Sequence, residues 1–202
     1  MSARVDHTTT SGTFTLDGQT FDVDNNVWVV GDDHECVVID APHDVNRILA
    51  LVGERLVKGI LCTHAHDDHV RVATVLRHET GAPVYLHPDD RPVWMLTHPE
   101  ELWDVDLSEG QVIEVAGTRL EALHTPGHTP GAVCFYSSQL GCVFTGDTLF
   151  QGGPGATGRS FSDHDAIVDS IRSKLLTLPD DTVVHTGHGE DTTIGAERGT
   201  VT

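Results

Sequence analysis

The segment Thr63-His64-Ala65-His66-Asp67-Asp68-His69 limits what this chain can be more than any other stretch. Three imidazoles and the Asp68 carboxylate fall within six residues. They follow directly on Gly59-Ile60-Leu61-Cys62, a short apolar run flanked by helical periodicity, which reads as a buried strand. The ligand-capable side chains therefore leave the strand at its C-terminal end, where α/β sheets place their sites. His64 and His66, two apart in extended chain, project to one side of it. Asp68 and His69 follow as the chain turns into a helix, and they face a second point nearby. Four such groups beside a buried strand repel one another or lose hydration unless a cation holds them. One metal does not accommodate all four comfortably; two adjacent metals do. Imidazole with carboxylate suits zinc, iron or manganese, and does not suit calcium.

The 202 residues are expected to form one domain, 1–202, with a full hydrophobic core. Twelve basic against thirty-one acidic residues give a net charge of −19, which repels phosphate backbones and argues against a nucleic-acid partner. No apolar run approaches a membrane span, and residues 1–13 lack the apolar core of a secretory signal, so no membrane partner and a cytoplasmic location are expected. Cys36, Cys62, Cys134 and Cys142 have no C-x-x-C spacing and lie in or beside β-like runs, so they read as buried free thiols.

Along the chain, the pattern predicts four short strands at 13–16, 20–23, 27–30 and 36–40, the first two joined by the turn Asp17-Gly18. Asp40 closes the last of these, either capping a helix that begins near Asp44 or orienting a ligating histidine. Helices are expected over 44–56 and 67–79, then a strand at 84–86. Residues 88–108 show no period and read either as a loop packed by Trp94 and Trp103 or as a lid over the substrate. Strands follow at 112–115, 118–123, 132–136 and 142–145, then a helix over 163–178 and a strand at 182–185. Both halves run strands first, then strand and helix, which argues for two β-sheets packed face to face with helices outside.

Three more segments end strands with a ligand-capable residue in a glycine-rich turn: Thr125-Pro126-Gly127-His128, Thr145-Gly146-Asp147-Thr148 and His185-Thr186-Gly187-His188-Gly189. With the first segment, this combination resembles the metallo-β-lactamase superfamily, and within it the short glyoxalase II-like hydrolases, over nearly the whole chain. The resemblance implies an α/β fold, the αββα sandwich of two mixed β-sheets. It implies that His64, His66 and His128 bind one metal, that Asp68, His69 and His188 bind a second, and that Asp147 bridges the two. The metals implied are two divalent ions, zinc foremost, with iron or manganese compatible. Aspartate rather than cysteine at 147 is more similar to the thioesterase, lactonase and nuclease members than to common zinc β-lactamases. Asp40 and His185 are expected just outside the ligands. The remaining histidines, His43 and His124 among them, are expected to be surface or hydrogen-bonded structural groups, with His124 near the site in sequence.

The activity implied is hydrolysis of a small-molecule thioester through a hydroxide shared by the two metals, with Asp68 and Asp147 as the catalytic carboxylates. Arg159, the one cation in the glycine-rich stretch 152–160, is either a surface charge or a clamp for a substrate anion. Gly158-Arg159-Ser160 matches the segment after the bridging aspartate in glyoxalase II-like proteins, although Phe161-Ser162-Asp163 departs from their usual continuation. The chain is too short for the helical substrate domain of long glyoxalase II enzymes, so glutathione is not the expected carrier. Residues 12–30 and 152–163 resemble an actinobacterial subgroup, which implies an acyl- or formyl-mycothiol. Alternatives are a mononuclear-iron persulfide dioxygenase using His64, His128 and Asp147, a lactone or β-lactam hydrolase, and a non-catalytic metal-binding protein. Nothing in the sequence encodes an oligomeric state.

Overall fold

In β3 (Glu35–Ile39), Val37 and Ile39 face one way and Cys36 and Val38 the other, yet all four are buried. A strand buried on both faces needs cover on both, and the rest of the fold supplies it. The computed structural model describes residues 2–201.

One six-stranded sheet runs in sequence order: β1 (Arg4–Leu16), β2 (Gln19–Gly31), β3, β4 (Leu56–Leu61), β5 (Val84–Leu86) and β6 (Val105–Asp106). Its first three strands are antiparallel, and β3 to β6 are parallel. The second six-stranded sheet comprises β7 (Val112–Val115), β8 (Thr118–His124), β9 (Val133–Ser137), β10 (Cys142–Gly146), β13 (Val183–Thr186) and β14 (Thr192–Thr193). The small ribbon β11 (Leu149–Phe150) and β12 (Gly153–Pro154) stands between β10 and β13 in the chain. Within the second sheet the order is β14-β13-β10-β9-β8-β7, and only β10 with β13 is parallel.

Alternation along the strands builds three apolar layers. Between the sheets, Trp28, Val30, Val37, Ile39 and Leu61 meet Leu120, Ala122, Val133, Phe135 and Phe144. Outside the first sheet, Val27, Val29, Val38 and Ile60 pack under α1 (Val45–Val52), α3 (Ala73–Thr80) and α4 (Arg91–Thr97) through Ile48, Val52, Leu76 and Trp94. Outside the second, Cys134, Val143 and Val184 pack under α5 (His164–Ser170) and the π-type turn Ile171–Leu175 that extends it. A short helix, α6 (Ile194–Glu197), adds Ile194 to that layer. This is the αββα sandwich. All four cysteines are free and buried. No helix among the described residues is long and apolar enough to cross a membrane.

Several expected elements differ. The four short strands before residue 40 are two long ones and a short one, because β1 starts at Arg4 and pairs with β2 without a break from Arg4↔Gly31 to Leu16↔Gln19. The helix expected over 67–79 is divided into α2 (Asp67–Val70) and α3, since the Val72 N–H turns aside to the Ala41 carbonyl, 3.1 Å away. Residues 88–108 are no featureless loop: Pro88–Asp90 forms a 3₁₀ turn leading into α4, and Trp94 is fully buried with its indole N–H donated to the Glu101 carbonyl at 2.7 Å. Asp44, not Asp40, caps α1, accepting from the Asn46 and Arg47 N–H groups.

Candidate metal centre

The parallel pairs β3/β4 and β10/β13 point the same ends of four strands at one edge of the sandwich, and the loops leaving them meet there. Asp40 leaves β3, Thr63 to His69 leave β4, Asp147 leaves β10, and His188 leaves β13. His128, from the loop after β8, closes the group. The seven residues expected as ligands are therefore together, with side chains buried or nearly so.

They form two interlocking sets. His66 Nδ1 lies 3.1 Å from His64 Nε2 and 3.0 Å from His128 Nε2. His188 Nε2 lies 3.3 Å from His69 Nε2 and 3.3 Å from Asp68 Oδ2. Asp147 stands between the sets: Oδ1 is 3.3 Å from His69 Nε2, while Oδ2 is 3.5 Å from His188 Nε2 and 3.6 Å from His128 Nε2. Only glycine fits at 187, because a Cβ there would come within 2.3 Å of Asp147 Oδ1.

The outward ring nitrogens decide what the inward ones do. His69 Nδ1 donates to Asp40 Oδ2 at 2.8 Å, His128 Nδ1 to the Ala156 carbonyl at 2.9 Å, and His188 Nδ1 to the Asp24 carbonyl at 2.7 Å. His64 Nδ1 meets Thr63 Oγ1 at 3.1 Å, and that hydroxyl is itself donated to Asp40 Oδ2. With the outer nitrogen carrying the hydrogen, the inner one presents a lone pair. Lone pairs facing each other at these distances repel unless a cation lies among them. Asp147 Oδ1 has no hydrogen-bond partner among the described residues although it is buried.

Electrostatics agree. Burial, with the neighbouring rings, drives His64 well below the usual imidazole range, and burial with His128 drives His66 down to about 3, so both are neutral donors of electron pairs. Burial also opposes charge on His188, yet Asp147 and Asp68 raise it to about 10. The donor set, nitrogen and carboxylate oxygen without thiolate, fits divalent first-row metals.

Asp40 is settled as the partner of His69. Its carboxylate also accepts the Thr63 N–H at 2.7 Å, and its backbone adopts φ 61°, a left-handed conformation that aspartate tolerates better than most residues. His185 is a correction: strand alternation turns its ring to Trp28 and Phe144, and Nδ1 pairs with Asp191 at 2.9 Å, away from the ligands. A third group, His87, Asp89 and His124, does not make a comparable centre. The two rings stack face to face at 3.9 Å and 11°, so their in-plane lone pairs do not converge.

Three residues with no motif also shape the site. Asp90 is fully buried and accepts from the Ala65 N–H (2.8 Å), Thr129 Oγ1 (2.8 Å) and the Gly131 N–H (2.6 Å). Burial pushes this carboxyl up to about 6 although all three donors pull it down. Asn25 donates to Asp68, and His43 lies against Asn25.

A cavity of about 200 Å³ opens onto His66, Asp68, His128, Asp147 and His188. Its opposite wall is Phe14, Phe21 and Val23 from the β1–β2 hairpin, with Ala156, Arg159, Ser160 and Ser162. Residues 88–108 do not line it; Val93, Leu96 and Thr97 instead line a second cavity that also reaches His66. Arg159 lies with its guanidinium carbon 4.5 Å from the Phe21 ring centroid, and its buried Nη1 has no hydrogen-bond partner among the described residues.

Residues 20–188 match the family described as the metallo-beta-lactamase superfamily. The chain belongs to that superfamily. Among similar proteins, hydroxyacylglutathione hydrolase GloC of Haemophilus influenzae is 34% identical over 182 residues, covering 83% of this chain and 86% of its own. The crystal structure of BLEG-1 B3 metallo-beta-lactamase superposes with a TM-score of 0.79 at 31% identity, covering 93% of this chain and 96% of that one. TTHA1623, crystallised in a di-iron-bound form, gives 0.77 at 37% identity, covering 88% and 94%. Superfamily membership and the two clusters together make this a metal-binding protein of hydrolase type.

Proposed function

We propose that this protein is a dinuclear metal-dependent hydrolase of small-molecule thioesters. The observation that carries the reading is Asp147, whose two oxygens face the histidines of both sets. His64, His66 and His128 would hold one ion, Asp68, His69 and His188 the other, and Asp147 both. Two divalent ions so held supply a water of lowered pKa and Lewis acids for a carbonyl oxygen and a thiolate leaving group.

The chain's own groups do the rest. Asp40, the Ala156 carbonyl and the Asp24 carbonyl hold the histidine rings in the tautomer that keeps their inner nitrogens free. Asp68, fixed by Asn25, orients its carboxylate toward the reacting region. Phe14, Phe21 and Val23 shelter an acyl chain from water, which strengthens every electrostatic contact inside. Arg159 offers its unpartnered Nη1 to an anion on the substrate. The Ser162 hydroxyl holds that loop in place, accepting the Gly158 and Arg159 N–H groups at 2.8 and 3.1 Å.

Metal analysis and thioester hydrolysis on one preparation test the reading. Two ions per chain with hydrolysis are expected; a single iron, no hydrolysis and oxygen uptake with a persulfide would overturn it. We also propose that the chain folds as a single domain, acts in the cytoplasm and takes its acyl group from a mycothiol carrier. Acyl-mycothiol is expected to outpace acyl-glutathione, and comparable rates remove the basis for that carrier.

Arg159→Gln separates binding from chemistry. A charge-assisted hydrogen bond contributes about 1.5–3 kcal/mol, so KM for a carboxylate-bearing thioester is expected to rise about 10–100-fold with kcat little changed. A neutral thioester should be unaffected. An equal loss on both substrates would show that Arg159 merely supports the loop.

A further inference from the structure

Asn25 lies in β2 and is wholly buried, opposite Thr10 in the strand register. A buried carboxamide in a strand usually satisfies itself on nearby backbone. Its neighbour Asn26 does so, donating to the Thr186 and Gly189 carbonyls at 3.1 and 3.0 Å. Asn25 makes a different set of contacts. Its Nδ2 is 3.1 Å from Asp68 Oδ2, 3.3 Å from His188 Nε2 and 3.4 Å from His69 Nε2. The amide nitrogen therefore sits at nearly equal distance from the three inward donor atoms of one set.

The other end of the amide fixes its direction. His43 Nε2 is 2.8 Å from Asn25 Oδ1, and because an amide oxygen only accepts, the imidazole must donate. That leaves His43 Nδ1 as an acceptor, and it is buried with no hydrogen-bond partner among the described residues. The ring is held by close packing on Gly12, where a Cβ would fall 2.3 Å from Nδ1. With Oδ1 committed to His43, Nδ2 can only turn toward Asp68. Asn25 thus donates to the very oxygen that faces His188.

We propose that Asn25, oriented by His43, is a positioning residue of the Asp68–His69–His188 set and governs how tightly that set holds its ion. It pins the Asp68 carboxylate against the two rings and so prepares the three donors before a metal arrives. This rests on reading those residues as a metal site. Partners of ligating groups typically change metal affinity about 10–100-fold when removed, and the same scale applies here.

The test is stepwise titration of the metal-free protein with zinc against a competing chelator, repeated with cobalt to follow its ligand-field bands. Asn25→Ala is expected to bind the first ion as the wild type does and the second about 10–100-fold more weakly, with altered bands for the second cobalt only. His43→Ala, a change at a half-buried position, should weaken the second ion in the same sense but less. His43→Gln, which retains an N–H donor, should restore part of the loss. The His43 pair keeps the test open if Asn25→Ala does not fold. Wild-type affinity for the second ion in Asn25→Ala overturns the proposal, as does equal weakening of both ions. A wild-type chain that takes up fewer than two ions overturns the metal reading itself, which is a distinct result.

Discussion

Asp147→Ala loses bound metal and turnover together. Its carboxylate contacts histidines of both sets, and only a small part of its side chain is exposed. Removing one group that stabilises transition-state charge costs about 2.7–4 kcal/mol, losing a bound ion with it costs more, and each 1.36 kcal/mol is about tenfold in rate. Turnover is therefore expected to fall by about two to four decades, with metal content dropping below that of the wild type. Asp147→Asn keeps the shape and removes the charge, and should fall between the two. Elemental analysis and a thioester assay on the same samples check this. Full metal occupancy with normal turnover sinks the bridging role.

Asp90→Ala acts on the scaffold instead of the ions. The carboxylate ties the turn that carries His64 and His66 to the loop that carries His128, accepting three donors at 2.6–2.8 Å. Truncation leaves three buried donors unsatisfied, each worth about 1–3 kcal/mol. Allowing for relaxation, a loss of about 3–5 kcal/mol is expected, near the upper end for a single substitution. For a chain of this length each kcal/mol moves the melting temperature about 2–4 °C, so a fall of about 6–20 °C follows. Asp90→Asn places an N–H against an N–H or a hydroxyl and should lie midway. A thermal melt of the metal-free protein decides it; an unchanged melting temperature would mean the three donors find water instead.

The parts of this site that could be read from the sequence are those written in short range. His64, His66, Asp68 and His69 announce themselves by spacing after an apolar strand, and His128, Asp147 and His188 by glycine turns at strand ends. The layers could be read for a related reason: residues such as Val37 and Val38 are both apolar, which only a strand covered on two sides requires. Asn25, His43 and Asp90 carry no such mark. Asn25 reaches His43 across 18 positions and Asp68 across 43, and Asp90 reaches Ala65 across 25 and Gly131 across 41. Their roles exist only once the sheets are docked. His185 shows the opposite error, because nearness to His188 in sequence says nothing about a strand face that alternates. In residues 88–108 a signal was present, since Pro92 suits the first turn of a helix, but seven residues are too few to show a helical period.

The ligand loops come from both sheets, and that arrangement has a topological effect. His66 and His128 are 62 positions apart, and His69 and His188 are 119 apart. An ion gripped by either pair is also a cross-link that shuts a long loop of chain. A covalent tie around a loop of roughly 100 residues removes unfolded-state entropy worth about 4–5 kcal/mol, and a tightly held ion acts in the same direction. The loaded protein should therefore be more stable than the metal-free one and resist proteases accordingly. Chelation would then do more than silence the chemistry: it would unbutton the two sheets.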